Sequence, residues 1–404
     1  MAGTVAGAAD DSKSILVKQA MAGKADLSAL AANTAGADAT EIAATDAVVE
    51  ISASGTYSFK GEYGGIKITT KGIDVHFIFD GATFTNNDGI AIDGADKKPA
   101  RVIITLADGT TNAVTNGGED VNAIHVKAPL FFNGTGTLHV TSHSKSAVKS
   151  SKAIQIVDAT LCLAAENHAL TGLSVTAVHS TIAVTEAGKD GINAECGSPE
   201  DGFSTDDGFV VLKDVAYTCD VSGDGIQADT AVYIDGGTYA ITTTGTFVQN
   251  TAANMAAYDM TADDFKYTKS GSTYKRIASD ETNRYGSNLY GLSQGCKGIK
   301  VGEIEYTDDA GNTVTVTDGD YLIAIVGGMF GITSTDDAIH ANGGNVLIEG
   351  GTFAIATADD GITADALTKI TGGSITVTAC YEGIEGGYVE ISGDSTVIDV
   401  TASD

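Results

Sequence analysis

Short apolar segments alternate with glycine- and acid-rich turns along most of the chain, and one turn recurs at a nearly constant spacing. Its clearest copies are Asp336-Asp337-Ala338-Ile339, Asp359-Asp360-Gly361-Ile362 and Tyr381-Glu382-Gly383-Ile384, whose isoleucines lie 23 and 22 residues apart. In each copy an acid stands two places before the isoleucine. A repeat of this length is typical of solenoids, in which each unit buries its apolar face against the next.

The same apolar position continues towards the N-terminus. Further copies are Ile66, Ile90, Ile124, Val148, Leu170, Ile192, Ile226 and Ile299. A second pattern lies between copies, an apolar pair around Gly-Gly followed by alternating apolar residues, at 232–241, 324–332, 346–355 and 370–377. Each unit therefore contains short period-two strands separated by turns, and no amphipathic segment long enough to form a crossover helix.

A unit of about 22 residues has room for three short strands and three turns, so one unit predicts one coil. Coils of this kind stack into parallel sheets in which equivalent residues lie roughly 4.8 Å apart. We therefore predict an all-β fold, a right-handed parallel β-helix, with the hand taken from the usual connection rule. The calcium-binding β-roll is the nearest alternative, but its Gly-Gly-x-Gly-x-Asp repeat is absent.

The repeat divides the chain into two parts. Residues 47–404 are the predicted β-helix domain, and residues 1–46, which lack the repeat, are the predicted N-terminal cap or assembly segment. A short helix starting at Ser12 or Ser14 and reaching Met21 is expected to cover the first coil.

Three segments interrupt the repeat. They are an acidic loop at 195–208, a predicted hairpin at 304–320 and a tyrosine-rich insertion at 245–295. The insertion holds five of the 14 tyrosines and two of the three arginines. The repeat stops abruptly at Asp404, and an uncovered β-helix end predicts either truncation or head-to-tail homo-assembly.

The net charge of −30 repels nucleic acid phosphates and anionic membrane surfaces, so neither is an expected partner. The five cysteines are widely spread and show no CxxC spacing, which disfavours a zinc knuckle and a disulfide scaffold. No signal peptide opens the chain, and no apolar run is long enough to span a membrane. We expect either a protein that is not exported or a mature extracellular chain whose signal has been removed.

The residues two places before the apolar position form one column if the coils stack in register. They are Asp88, Asn122, Ser146, His168, Asp190, Asp224, Lys297, Asp337, Asp360 and Glu382. Carboxylates about 5 Å apart repel one another by roughly 1 kcal/mol in water, and more strongly inside a protein. Protons, waters or a metal ion are needed to relieve this repulsion.

Calcium is the predicted metal, because it accepts many oxygen ligands in irregular geometry. The candidate ligands are Asp336, Asp337, Asp359, Asp360, Glu382, Glu385, Asp190 and Asp224. The alternative is that each Asp-Gly only forms a tight turn, in which the aspartate bonds its own backbone.

Lys297 interrupts the acidic column directly after the tyrosine-rich insertion. Beside a metal ion the ammonium form of a lysine is disfavoured, and the neutral amine can abstract a proton. Lys297 is then the base of a calcium-dependent polysaccharide lyase. The metal ligands in that hypothesis are Asp224, Asp336, Asp337 and Asp360. The alternative is an ion pair between Lys297 and its acidic neighbours.

Carbohydrate contact is expected from tyrosines and basic residues, because the chain has no tryptophan to stack on sugar rings. The candidates are Lys297, Lys300, Arg284, Tyr285, Tyr290 and Tyr381. A solenoid repeats at roughly the length of one sugar ring, so successive coils can contact successive sugars of a glycan.

Five stretches together resemble one bacterial family. They are IITLADGTTN (103–112), NGTGTL (133–138), KGIK (297–300), TDDAIH (335–340) and YEGIEG (381–386). The family comprises secreted carbohydrate-binding proteins with a right-handed parallel β-helix that look like polysaccharide lyases, and the resemblance extends from residue 47 to residue 404.

The resemblance implies an extracellular or cell-surface protein that binds calcium and attaches to plant polysaccharide. Cellulose and polygalacturonate are the family's ligands, and lytic activity is not its established property. The Asp336/Asp337 and Asp359/Asp360 turns match the family's acidic turns, whereas Ser146 and His168 replace acids in the middle of the chain.

Three hypotheses for function remain. The leading one is calcium-dependent, non-catalytic binding of an extracellular polysaccharide, either cellulose or an acidic pectic glycan such as polygalacturonate. The second is a calcium-dependent pectate lyase with Lys297 as base. The third is a structural cell-surface or filament-forming β-solenoid.

Overall fold

The chain winds into a three-sided parallel β-helix. A computed structural model describes residues 12–31, 38–197, 204, 206–271, 273–277, 288–302, 304–307, 313–315, 321–357 and 359–403. Each coil contributes a short strand to one side and longer strands to two others, and the strands of neighbouring coils pair in parallel. We name these sides the narrow face, the first broad face and the second broad face. The parallel β-helix predicted from the repeat is confirmed.

The narrow face is a sheet of three-residue strands, and 11 of them lie in the described part of the chain. They are Val49–Ile51, Ile66–Ile68, Ile92–Gly94, Ile124–Val126, Val148–Ser150, Leu170–Gly172, Ile192–Ala194, Ile226–Ala228, Ile299–Val301, Ile339–Ala341 and Ile362–Ala364.

The two broad faces belong to one sheet, because Gly55–Tyr63 and Asp74–Asn86 are long enough to cross both, and Thr40–Ile42 pairs with the first of them. The first broad face continues with Arg101–Leu106, Leu130–Asn133, Ala153–Val157, Ser174–Val178, Phe209–Lys213, Ala231–Asp235, Leu322–Ile325, Asn345–Ile348, Leu367–Ile370 and Tyr388–Ile391. The second continues with Thr111–Asn116, Thr137–Ser142, Thr160–Ala165, Thr181–Ala187, Ala216–Val221, Thr238–Thr243, Met329–Ser334, Thr352–Thr357, Ser374–Cys380 and Val397–Ala402.

Columns of apolar side chains fill the interior, one residue from each coil. Ile299, Ile339 and Ile362 are direct neighbours in such a column, and all three are completely buried. Because successive side chains of a strand point to opposite sides, the middle residue of each narrow-face strand points outward. From the second strand onward this outward column reads Lys67, Asp93, His125, Lys149, Thr171, Asn193, Gln227, Lys300, His340 and Thr363.

The first coils depart from the predicted register. Ile92, not Ile90, pairs with Ile66 in the apolar column. Asn86 holds a longer turn here, since its side chain accepts a hydrogen bond from the Asp88 backbone N–H (3.2 Å) and donates one to the Ile90 carbonyl (2.9 Å). Asp88 is exposed in this turn, so its predicted place in the acidic column was wrong.

Two N-terminal helices, Ser12–Lys24 and Ser28–Ala31, lie on the side of the solenoid. The predicted helix forms, but it packs on the first broad face rather than over the first coil. Met21 packs there among apolar residues, and the Asn345 side chain donates a hydrogen bond to Ser14 Oγ (2.7 Å). The helix lies here because this face carries an outward apolar strip, formed by Phe209, Val211, Tyr233, Leu322, Ala324, Leu347 and Leu367.

The tyrosine-rich insertion leaves the coil at the corner between the second broad face and the narrow face. Its antiparallel sheet has the strand order Thr246–Gln249, Tyr290–Gln294, Tyr267–Ser270 and Thr273–Arg276. A helix at Ala252–Ala257 and a 3-10 turn at Ala262–Asp264 precede the third and fourth of these strands.

The predicted hairpin also forms, because Glu305–Thr307 pairs in antiparallel fashion with Thr313–Thr315. Within the described ranges, none of the helices has both the length and the apolar character needed to cross a membrane.

Candidate functional site

The residues two places before the repeated apolar position form a column, and hydrogen bonds between neighbouring coils join most of them. It runs along the corner between the second broad face and the narrow face. A side-chain oxygen accepts a hydrogen bond from the backbone N–H of the equivalent residue in the next coil. These bonds join Asn122 to Ser146 (3.1 Å), Asp190 to Asp224 (2.7 Å), Asp224 to Lys297 (2.6 Å), Asp337 to Asp360 (3.1 Å) and Asp360 to Glu382 (3.2 Å). The acids thus satisfy the backbone of the neighbouring coil rather than their own.

Asp190 and Asp224, two of the predicted metal ligands, are buried in this column. Burial, and then the charge of Asp190, raises the pKa of Asp224 to about 6. His168 Nδ1 lies 2.9 Å from Asp190 Oδ2. An acid at position 168 would repel Asp190, whereas the histidine does not. Both Oδ1 atoms accept backbone hydrogen bonds, which gives these carboxylates a structural role.

Lys297 extends into the acidic turn of the next coil. Its Nζ lies 2.7 Å from Asp336 Oδ2 and 3.0 Å from Asp337 Oδ2, and only 14% of its side chain is exposed. Burial acts to lower the pKa of Lys297, but Asp337 and Asp336 outweigh burial, and the pKa is raised above its ordinary value. The ion pair expected as one alternative is present, and the lysine carries its charge at neutral pH.

Asp337 has a second close neighbour, because His340 Nδ1 lies 2.7 Å from Asp337 Oδ2. Burial acts to raise the pKa of Asp337, but the bond to His340 and the charge of Lys297 lower it to about 2. The carboxylate is therefore fully ionised at neutral pH and is compensated by its partners.

Asp359 connects this acidic turn to the insertion. The Arg276 guanidinium forms an ion pair with one of its oxygens, and the Tyr267 hydroxyl donates to the other (3.0 Å). The Arg276 guanidinium also lies over the Tyr381 ring, 4.1 Å from its centroid. The insertion is thus bonded to two successive coils through buried and half-buried side chains.

Two groups of carboxylates bring their ligand atoms within 4.8 Å of one another. The first contains Asp336, Asp337 and Asp359, which are already paired with Lys297, His340 and Arg276. The second contains Asp360, Glu382 and Glu385. Burial, followed by the charges of Asp359 and Asp337, raises the pKa of Asp360 to about 7. The charge of Asp360 is therefore only weakly compensated.

A pocket of about 350 Å³ separates the insertion from the second broad face. Phe247 and Tyr274 line one wall and are stacked, with ring centroids 3.9 Å and planes 5° apart. The opposite wall is lined by Thr333, Ser334, Thr335, Thr357, Thr378 and Thr401. Ser334 Oγ is buried and has no hydrogen-bond partner in the described part of the chain. An aromatic wall facing a threonine-rich surface suits a sugar ring, and the volume is in the range of small-ligand sites.

The pocket adjoins the acidic turns along the chain. Thr357 and Cys380 line the pocket, and they lie directly upstream of the turns that carry Asp360 and Glu382. The Gly245 backbone N–H donates to Thr335 Oγ1 (2.8 Å), which holds the start of the insertion against this face.

The predicted carbohydrate contacts are distributed over several environments. Lys300 lies in the outward column of the narrow face, between Gln227 and His340. Tyr290 is half-buried in the insertion sheet, edge-on to Tyr274 with ring centroids 5.3 Å apart. Tyr381 is buried beneath Arg276. The remaining two candidates, Arg284 and Tyr285, lie outside the described residues.

Phe247, Tyr274, Tyr267, Arg276 and His340 were not among the residues singled out from the sequence. A signal for three of them is the period-two alternation of the fourth insertion strand and its partner. Tyr267 pairs with Arg276 across the two strands, and Tyr274 lies two places before Arg276, so all three side chains point to one side of the sheet.

Comparison with known proteins gives one family and one solved structure. A family model described as carbohydrate-binding domain-containing protein matches residues 45–290 and 298–402. No curated protein matches the chain. The chain is similar to a solved structure, the gadolinium derivative of the polysaccharide lyase-like protein from C. thermocellum. The two share 23% identity over 50% of this chain and 84% of that one, with a TM-score of 0.43.

Proposed function

The chain belongs to the family of carbohydrate-binding domain-containing proteins, and we propose that it binds an extracellular polysaccharide without cleaving it. The proposed ligand is cellulose or an acidic pectic glycan such as polygalacturonate. The proposed location is the cell exterior or surface, where such a polymer is encountered.

The observation that carries the proposal is the pocket between Phe247 and Tyr274 on one side and the threonine-rich face on the other. A pyranose ring has an apolar face formed by its C–H groups and a rim of hydroxyls. The aromatic wall fits the apolar face, and the threonine-rich wall opposite it suits the polar rim. Ser334 also lines this pocket, and its buried Oγ has no hydrogen-bond partner among the described residues.

The state of Lys297 supports binding rather than lysis. A lyase base must be neutral to remove the proton next to a uronate carboxylate. Lys297 instead donates to Asp336 and faces Asp337, and these carboxylates raise its pKa. An ammonium group held by two acids has no free electron pair with which to accept a proton.

Calcium is proposed at the group formed by Asp360, Glu382 and Glu385. Three carboxylates from two successive coils supply the hard oxygen donors that calcium prefers, and their ligand atoms lie within 4.8 Å of one another. The group around Asp336 and Asp337 fits less well, because the cationic side chains of Lys297 and Arg276 compensate it already. Bound calcium would supply a positive charge able to bridge these acids to the carboxylates of an acidic glycan.

Binding of the full chain to cellulose and to polygalacturonate, each measured with calcium and with a chelator, tests the proposal. We expect retention on at least one of the two polymers, with polygalacturonate binding strengthened by calcium. No increase in ultraviolet absorbance from unsaturated products is expected. An increase that disappears in Lys297→Ala would instead identify a lyase, and absence of binding to both polymers would refute the proposed function.

A further inference from the structure

A group of basic side chains interrupts the acidic surface near the N-terminal end of the narrow face. His125 and Lys149 are direct neighbours in its outward column. Lys127 follows the same strand as His125 at one edge of the face, and Lys145 precedes the Lys149 strand at the other edge. We name these four residues the lysine patch. Such a group of basic residues is unusual in a chain that has 23 lysines and arginines and 53 acidic residues.

Two of these lysines have no acidic partner among the residues that the structure describes. Lys145 Nζ pairs with Asp120 at 2.8 Å, and the nearest acid in the column, Asp93, lies 3.7 Å from Lys67 Nζ. Lys127 and Lys149 form no ion pair with any residue that the structure describes. Their charges are therefore directed to solvent or to a ligand.

The pKa of His125 is shifted by burial and by the positive charge of the patch. Burial, followed by the charges of Lys149 and Lys127, lowers the pKa of His125 to about 4, and the opposing effect of Asp93 is smaller. The imidazole is neutral at physiological pH. Its Nε2 is buried and has no hydrogen-bond partner among the described residues, so a polar atom within the patch is left for a ligand to satisfy.

We propose that the lysine patch binds the carboxylates of a uronic acid polysaccharide directly, without calcium. Lys127 and Lys149 supply the charge, and neutral His125 adds a hydrogen bond to a hydroxyl or carboxylate oxygen. This proposal rests on the proposed function and names a second region of the same ligand.

The register of the narrow face explains how one polymer can reach both regions. Lys149 precedes Thr363 in the outward column by six coils, through Thr171, Asn193, Gln227, Lys300 and His340. At roughly 4.8 Å per coil, this places the patch about 29 Å from the coil that carries the Asp360 turn. A glycan lying along the solenoid axis therefore meets lysines at one end and the proposed calcium site at the other.

Binding of polygalacturonate in the presence of a chelator tests the patch, because the chelator removes the calcium bridge. The variant Lys127→Gln/Lys149→Gln should lower the affinity by about tenfold, since two charged contacts are lost. The matched control Lys71→Gln/Lys97→Gln removes the same charge from exposed turn lysines and should bind like the wild type. Thermal melts establish that both variants are folded.

Fully methyl-esterified polygalacturonate provides the second arm, because it lacks the carboxylate charge. Its binding should be unchanged in the patch variant, and added salt should weaken only the binding of the free acid. The two variants could have equal affinity for polygalacturonate, or the wild type could require calcium to bind it. Either result refutes binding by the lysine patch and leaves the proposed function intact. Absence of any polysaccharide binding overturns both.

Discussion

Lys297 Nζ lies 2.7 Å from Asp336 Oδ2, although the two residues are 39 positions apart in the chain. They belong to adjacent coils, since Ile299 and Ile339 are direct partners in the narrow face. Lys297 thus compensates the negative charge of the turn that carries Asp336 and Asp337. The proposed calcium site is therefore at the following turn, where the charge of Asp360 is not balanced by a lysine in this way.

Replacement of Lys297 by methionine removes this charge and keeps most of the side-chain volume. We expect the free energy of unfolding at neutral pH to fall by about 2–4 kcal/mol, because Asp336 and Asp337 lose their cation while largely buried. Chemical denaturation measures the change. Lys60→Met is the matched control, since Lys60 pairs with Asp80 at the surface, and it should have little effect. Equal losses in the two variants would contradict the assignment.

Calcium should raise the melting temperature of the wild type, and a chelator should reverse the effect, because an ion that binds only the folded chain stabilises it. At a free calcium concentration of 100 times Kd the expected stabilisation is about 2.7 kcal/mol. Asp360→Asn and Glu382→Gln should abolish the shift. Asp88→Asn, at an exposed acid outside the column, should retain it. A melting temperature that responds to neither calcium nor chelator rules out the site.

The fold was accessible from the sequence because its signal is periodic. The spacing of 23 between Ile339 and Ile362 appears in the structure as a direct strand pairing. The prediction failed at Ile90, where a local interaction overrides the period. Asn86 bonds the backbone on both sides of this turn and moves Ile92 into the column. Nothing in the spacing distinguishes two isoleucines that lie two places apart on the same side of a strand.

The candidate site could be predicted from the sequence only in part. The acids of the column were identified from their position, but their hydrogen bonds to the next coil depend on the stagger between coils. Asp359 pairs with Arg276 and Tyr267, which lie 83 and 92 positions earlier. These contacts exist because the insertion folds back over later coils, and neither the repeat nor the composition specifies that direction.

Stability should depend on pH through Asp229, whose Oδ2 accepts a hydrogen bond from the Cys196 backbone N–H (2.7 Å). Burial raises the pKa of Asp229 to about 6. The folded state then holds the proton more tightly than the unfolded state. Protonated Asp229 therefore contributes to the free energy of unfolding in full below pH 4, and this contribution is lost as pH rises through about 6. Asp229→Asn keeps an acceptor for the N–H and cannot ionise.

We therefore expect Asp229→Asn to raise the free energy of unfolding by about 1–2 kcal/mol at pH 7.5 and to have little effect near pH 4. Denaturation at the two pH values gives the comparison. Asp235→Asn on the first broad face, where Asp235 pairs with Lys213 (3.5 Å), is a control without the buried N–H contact. Destabilisation by Asp229→Asn at pH 7.5 would show that the ionised carboxylate is the favoured form.

The pocket makes the sharpest prediction for binding, because its two walls can be altered separately. Tyr274→Ala removes one ring of the stacked pair and should weaken polysaccharide binding about fivefold to tenfold. Tyr258→Ala is the matched control, since Tyr258 is 49% exposed in the same insertion and does not line the pocket. Equilibrium binding to the polymer identified for the wild type measures both variants.

Ser334→Ala separates binding from folding on the opposite wall. The buried hydroxyl has no partner among the described residues, so its removal should leave stability unchanged or slightly improved. If a sugar hydroxyl bonds Ser334 Oγ, affinity should nevertheless fall about fivefold, because the bound ligand then has an unsatisfied polar group. Stability and affinity are expected to move in opposite directions, which a purely structural serine does not produce. Unchanged affinity in Ser334→Ala together with unchanged affinity in Tyr274→Ala would place the polysaccharide outside this pocket.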